Sequence, residues 1–229
     1  MPRQRGGWTP DAIRRALFLY GVTDRAWLRD RTLPDLVREA IAGGATFIQL
    51  REKHASPAEV AELARTLTPI CHAAQVPFVI DDDVEIARSV GADGVHVGQE
   101  DMAASRAREI LGEDAIIGVS AQTVAEAREA EAAGADYLGA GALIPTPTKP
   151  DAVDVAKEEL ARICAAVRIP VVGIGGLHAD TLDVLADTGV AGAAVVSALF
   201  AADDPRAAAS ELVQGLHHVI ELPQRVQQG

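Results

Sequence analysis

Gly134-Ala135-Asp136-Tyr137-Leu138-Gly139 is the stretch on which the reading of the fold turns. A glycine just past an Ala-rich helical segment, then a small residue, then an apolar run, is a helix C-cap leading directly into a strand. The phrase recurs as Gly43-Gly44-Ala45-Thr46, Gly91-Ala92-Asp93-Gly94 and Gly189-Val190-Ala191-Gly192. Its repetition indicates a tandem βα architecture, with the caps on the side away from the chemistry.

Working outward, eight apolar runs alternate with amphipathic, Ala-rich stretches. The strand candidates are Leu17–Thr23, Phe47–Arg51, Phe78–Ile80, Gly94–Val97, Ile116–Val119, Tyr137–Gly139, Val171–Ile174 and Gly192–Ser197. Helices are expected near Pro34–Ala42, Pro57–Ala74, Asp83–Val90, Ala103–Leu111, Thr123–Ala133, Lys157–Val167, Ala179–Asp187 and Pro205–Ile220. The strands are short continuous runs rather than alternating ones, which is the pattern of parallel strands covered on both faces. Eight βα units in 229 residues predict an α/β fold, a single-domain (β/α)8 TIM barrel. An open doubly wound sheet is the alternative, but no glycine fingerprint follows the first strand. The barrel is expected over residues 13–222, with flexible tails over 1–12 and 223–229.

The composition is 48% hydrophobic but only 3% aromatic, so aliphatic side chains must fill the core. The net charge is −12 and no block of Lys or Arg occurs, which argues against nucleic acid as a partner. An anion can then be bound only by a local cluster of cations. Cys71 and Cys164 match no metal-ligand spacing and suggest no disulfide framework, as in a reducing cytoplasm. The basic start is not followed by an apolar signal core, and no run has the length of a membrane helix. The expectation is a cytoplasmic protein with small-molecule partners, no membrane contact and a possible homo-oligomeric state.

In such a barrel the loops after the strands form one active-site face. The polar residues gather there. The second strand ends in Gln49-Leu50-Arg51-Glu52-Lys53, the third in Asp81-Asp82-Asp83 and the fourth leads through His96 to Gln99-Glu100-Asp101. The fifth ends at Ser120, the sixth leads into Pro145-Thr146-Pro147-Thr148-Lys149-Pro150, the seventh into Gly175-Gly176, and the eighth ends in Val196-Ser197. The three prolines of the sixth-strand loop can continue neither a central strand nor a helix. Asp83 reads as a helix N-cap, and His96 reads equally well as a core histidine. Arg51, Lys53 and Lys149 can neutralise a polyanion such as a diphosphate. Asp82 and Asp101 end adjacent strands, so their carboxylates can meet and form a Mg²⁺ site completed by phosphate oxygens and water. Gly175-Gly176 and Val196-Ser197 fall where many barrels bind a phosphate through backbone N–H groups. The face therefore has two anion sites, one for a metal diphosphate and one for a monophosphate.

Phe47–Lys53, Val95–Asp101, Gly118-Val119-Ser120, Pro145–Lys149 and Val172–Gly176, in that order, resemble the thiamine-phosphate synthase family. The resemblance implies condensation of 4-amino-2-methyl-5-hydroxymethylpyrimidine diphosphate with a thiazole phosphate, giving thiamine phosphate and diphosphate. By matched position, Gln49, Leu50, Arg51, Glu52, Lys53, Ser120 and Lys149 hold the pyrimidine diphosphate, with Asp81 a weaker candidate. Asp82 and Asp101 bind Mg²⁺. Thr146, Pro147, Thr148, Gly176, Val196 and Ser197 hold the thiazole phosphate. Arg51, Lys53, Ser120 and Lys149 are the implied catalytic groups, and His96 is assigned no role. Two departures stand out: Asp81 where the family usually has Asn, and Leu143-Ile144 where it often carries an aromatic residue. Two rivals share the barrel. A thiazole tautomerase uses a His after the fifth strand, where this chain has Gln122, which cannot act as an acid or base near neutral pH. A non-catalytic regulator should have lost several of the cations and carboxylates.

Overall fold

The structure, a computed structural model, describes residues 7–145 and 155–220. Thr146, Pro147, Thr148 and Lys149 lie outside the described residues, as do 1–6 and 221–229. The elements run α1 (Pro10–Ala16), β1 (Leu19–Val22), α2 (Leu33–Gly43), β2 (Phe47–Leu50), α3 (Pro57–Ala73), β3 (Phe78–Asp81), α4 (Val84–Val90), β4 (Gly94–Val97) and α5 (Ala104–Leu111). They continue with β5 (Ile116–Ala121), α6 (Val124–Ala132), β6 (Tyr137–Ala140), α7 (Lys157–Ala166), β7 (Val171–Ile174), β8 (Gly192–Val195), α8 (Ser197–Phe200) and α9 (Pro205–Val219). Strands β1 to β8 are parallel in sequence order and close into a barrel, β1 joining β8 with Leu19 opposite Ala193. This is the (β/α)8 barrel that the repeated apolar runs predict.

Local signals set the helix ends. Thr32, Ser56, Asp83, Thr123 and Asp204 each cap a helix by accepting a backbone N–H from the first turn, and Ser56 with Glu59 completes a capping box. At the other end Gly44 (φ 118°) and Gly91 (φ 66°) turn the chain out of α2 and α4 in the left-handed region, which the recurring glycine phrase foretells.

The same phrase does a second job. The polar residue just before a strand accepts an N–H from the first or second residue of a neighbouring strand. Thr46 Oγ1 takes Leu19 N at 3.0 Å, Asp93 Oδ2 takes Phe78 N at 2.8 Å, and Asp136 Oδ2 takes Ile117 N at 2.7 Å. These bonds satisfy donors at the barrel's lower rim that would otherwise be left unpaired.

Two apolar layers result. Outside the strands, Ile48, Leu50, Ile80, Val95 and Leu138 pack beneath the helices. Inside the barrel, Tyr20, Val22, Phe47, Val79, Tyr137, Val172 and Ala194 fill the bore. Ile13 and Ala16 of α1 join that inner cluster. The stretch expected as an N-terminal tail is thus ordered from Trp8 on, where Nε1 donates to Asp93 Oδ1 at 3.1 Å.

Two other elements differ from expectation. Ala179–Leu185 is a 3₁₀ helix rather than an α-helix. Its buried residues, Leu182 and Leu185, are three apart, which suits the eclipsed faces of a 3₁₀ turn. The eighth strand stops at Val195, and Ser197 opens α8 instead of ending the strand.

Candidate active site

The described candidates converge on the C-terminal mouth of the barrel. Arg51 and Lys53 follow β2, and beside them Asp81 ends β3 and Asp82 follows it. Lys53 Nζ lies 3.0 Å from Asp81 Oδ2 and is hydrogen-bonded to Asp82 Oδ2. Arg51 Nε is 3.8 Å from Asp81 Oδ2. Half-burial acts to lower the Lys53 pKa, but the carboxylates of Asp81 and Asp82 outweigh it and raise it. Asp82 has φ 62°, a left-handed conformation that costs energy in a residue with a side chain. Its N–H is held by His96 O at 2.8 Å, across the β3–β4 pair.

Asp101 sits in the loop after β4, its Oδ2 accepting Gly98 N at 2.8 Å. Burial raises its pKa, and a hydrogen bond with Asp82 raises it further. The Asp82 and Asp101 side chains are therefore close to one another. Among the described residues no cluster of three or more His, Cys, Asp or Glu converges as a metal cage.

Asp81, the departure from the family pattern, is held in place. Gln49 Nε2 donates to Oδ1 at 2.5 Å, and the buried Oδ2 faces Lys53. Oδ2 has no hydrogen bond of good geometry among the described residues. Glu52 turns away from this group to Arg25, whose Nε lies 2.8 Å from Oε2. Burial raises the Glu52 pKa against the pull of Arg25. The Leu50 side chain is in the outer core, so only its backbone faces the mouth region.

Beneath the charges runs a chain of buried polar side chains. Gln49 Oε1 accepts from Tyr20 OH at 2.5 Å, the Tyr20 and Tyr137 hydroxyls are 2.8 Å apart, Tyr137 OH is 3.0 Å from His96 Nδ1, and His96 Nε2 is 3.0 Å from Ser120 Oγ. Burial pushes both tyrosine pKa values upward. Sequence reasoning missed Tyr20 and Tyr137. One signal was present: they are the only tyrosines in the chain, and both fall in strands that are otherwise aliphatic or small.

On the far side of the mouth, Gly175 (φ 99°) and Gly176 (φ 65°) follow β7. A Cβ on Gly176 would lie 2.6 Å from Ile144 Cβ, so the β6 loop is pressed onto the glycine turn. Ile144 N donates to Gly175 O at 3.1 Å. Val196 is the N-cap of α8, its carbonyl accepting Leu199 N at 3.2 Å and Phe200 N at 2.9 Å, and Ser197 opens the helix. Two shallow concavities, of about 260 and 200 Å³, lie elsewhere, one around His178 and Glu211 and the other around Arg88 and Asp114.

A closed (β/α)8 barrel with cations, carboxylates and a glycine turn at one mouth defines a barrel enzyme rather than a passive scaffold. Residues 19–199 match the family described as thiamine monophosphate synthase. The chain belongs to that family. It is 47% identical to a thiamine-phosphate synthase of Ruminiclostridium cellulolyticum over 86% of this chain and 93% of the relative. It is 48% identical to one of Clostridium acetobutylicum over 80% and 87% of the two chains. A solved thiamine phosphate pyrophosphorylase from Pyrococcus furiosus superposes with a TM-score of 0.84 at 42% identity, covering 91% of this chain and all of that one. The chain is accordingly a transferase of the thiamine-phosphate synthase type, and neither the tautomerase nor the regulator reading finds support. Among the described residues no helix is long and apolar enough to cross a membrane.

Proposed function

We propose that this mouth condenses 4-amino-2-methyl-5-hydroxymethylpyrimidine diphosphate with a thiazole phosphate, with Mg²⁺ as cofactor. The observation that carries the metal is the meeting of Asp82 and Asp101 beside Lys53. In the linked cluster two cations, Arg51 and Lys53, face three carboxylates, Asp81, Asp82 and Asp101, a net of −1. Such a cluster repels a diphosphate. A divalent cation on Asp82 and Asp101 reverses the sign, and two carboxylates suit Mg²⁺, which fills its shell with water and phosphate oxygens. When bound, Mg²⁺ supplies charge neutralisation of the departing diphosphate.

Arg51 and Lys53 would bind the diphosphate oxygens and stabilise the charge that grows as the C–O bond breaks. The aminopyrimidine delocalises the methylene cation left behind, so departure precedes attack. Gly176, Val196 and Ser197 would hold the thiazole phosphate by backbone N–H groups so that the ring nitrogen faces that carbon. Lys149 would serve the diphosphate, and Thr146, Pro147 and Thr148 the thiazole phosphate. No proton has to be removed from the nucleophile, so positioning and electrostatics carry the rate. The charge balance is tested by calorimetric binding of inorganic diphosphate. Binding is expected with Mg²⁺ and not with the metal chelated. Equal binding in both conditions overturns the metal assignment.

A further inference from the structure

The polar chain through the bore connects one residue from each of six consecutive strands: Tyr20, Gln49, Asp81, His96, Ser120 and Tyr137. Its direction follows from counting protons. Gln49 Nε2 donates to Asp81 Oδ1 and Gln49 Oε1 accepts from Tyr20 OH, so the amide turns its NH₂ toward the Asp81–Lys53 pair and its oxygen toward Tyr20. Tyr20 then spends its one proton on Gln49 Oε1 and can only accept from Tyr137. Tyr137 spends its proton on Tyr20, so His96 Nδ1 must be the donor at 3.0 Å. A neutral imidazole carries one N–H, which leaves Nε2 bare to accept from Ser120 Oγ.

We infer that Asp81 is a positioning residue that sets the polarity of this six-residue chain, fixing His96 as the Nδ1–H tautomer and committing the Ser120 proton inward. Ser120 thus presents lone pairs to the mouth, and suits an N–H of a ligand rather than an oxygen of an anion. An amide in place of the Asp81 carboxylate removes the constraint. It can donate to Gln49, which turns around and lets every bond reverse, so that His96 carries Nε2–H and the Ser120 proton faces outward. The barrel makes room for the chain: a Cβ on Gly118 would lie 2.2 Å from Tyr137 Cζ, and one on Gly139 would lie 3.2 Å from His96 Cε1.

The side-chain ¹⁵N spectrum of the full chain reads the tautomer without reference to activity. His96 is expected to show a protonated Nδ1 and a bare Nε2. A bare Nδ1, or two protonated nitrogens, overturns the polarity. Asp81→Asn is expected to move His96 toward Nε2–H, and an unchanged tautomer overturns the role of Asp81. Tyr137→Phe removes the Nδ1 acceptor and tests the polarity at His96 separately: a shift toward Nε2–H is expected, and an unchanged tautomer there overturns the donor assignment. The consequence at Ser120 rests on the proposed reaction and is read separately. Ser120→Ala is expected to change the affinity for inorganic diphosphate with Mg²⁺ by less than threefold while raising KM for the pyrimidine substrate. A larger loss of diphosphate affinity overturns the inward commitment of the proton. Absence of turnover in the wild-type chain would instead fault the reaction and leave the tautomer result standing.

Discussion

Gly118 on β5 faces the ring of Tyr137 on β6 so closely that a Cβ at position 118 would lie 2.4 Å from the phenol oxygen. The tyrosine is completely buried, packed edge-on to Phe47 and Tyr20 with ring centroids 5.5 and 5.9 Å away. It has nowhere to retreat. Gly118→Ala is expected to destabilise the fold by about 1–3 kcal/mol, the cost of overpacking a filled core. It should also pull Tyr137 from His96. Urea unfolding checks the first effect, and full retention of stability would show that the bore has slack.

Asp101→Asn keeps the shape of the side chain but removes half of the paired negative charge that the proposed Mg²⁺ requires. Turnover is expected to fall by about 100-fold or more, in line with losing one preorganised electrostatic contact to a charged transition state. Because one of two meeting carboxyls is neutralised, stability should hold or rise slightly. Steady-state kinetics beside thermal unfolding separates the two effects. Near-normal turnover would remove Asp101 from the site.

Asp136 accepts Ile117 N and Arg108 Nη2, both at 2.7 Å. Asp136→Ala leaves the Ile117 N–H in β5 and a largely buried guanidinium without that partner. The expected loss is about 2–3 kcal/mol, whereas Asp136→Asn, which keeps an acceptor, should cost less. Denaturant unfolding of the pair checks the order. Equal losses would mean that the lower-rim bonds contribute through charge alone.

Stability should also fall at high pH. Burial pushes the Cys71 thiol up to about 12, whereas an unfolded thiol ionises near about 8.5. Below that unfolded value both states keep the proton and the contribution is whole. As pH rises toward 12 only the unfolded chain releases it, and stability drains at about 1.4 kcal/mol per pH unit for this group. The buried tyrosines, also raised, add in the same direction above their unfolded range. Unfolding free energies between pH 8.5 and 11 should therefore decline more steeply for the wild type than for Cys71→Ala. Parallel slopes would contradict the burial effect.

The eight strands were legible as short apolar runs, several of them entered through a helix-capping glycine, and the neighbouring positions of Asp82 and Asp101 followed from the order of β3 and β4. What stayed hidden depends on which way side chains point across the barrel. Tyr20 and Tyr137 are 117 positions apart, and no local pattern couples them. Glu52 sits among the matched motif residues, yet its partner is Arg25 in the loop after β1. The first helix starts at Thr9-Pro10, an N-cap followed by proline at the first helical position, inside the stretch whose composition alone reads as a tail.

The most direct measurement mixes purified protein, Mg²⁺, the pyrimidine diphosphate and the thiazole phosphate, and follows phosphorus by NMR. The account predicts thiamine phosphate and free diphosphate appearing in equal amounts, with neither formed when one substrate is withheld. Diphosphate release without thiamine phosphate, or no reaction with the folded protein, would contradict it.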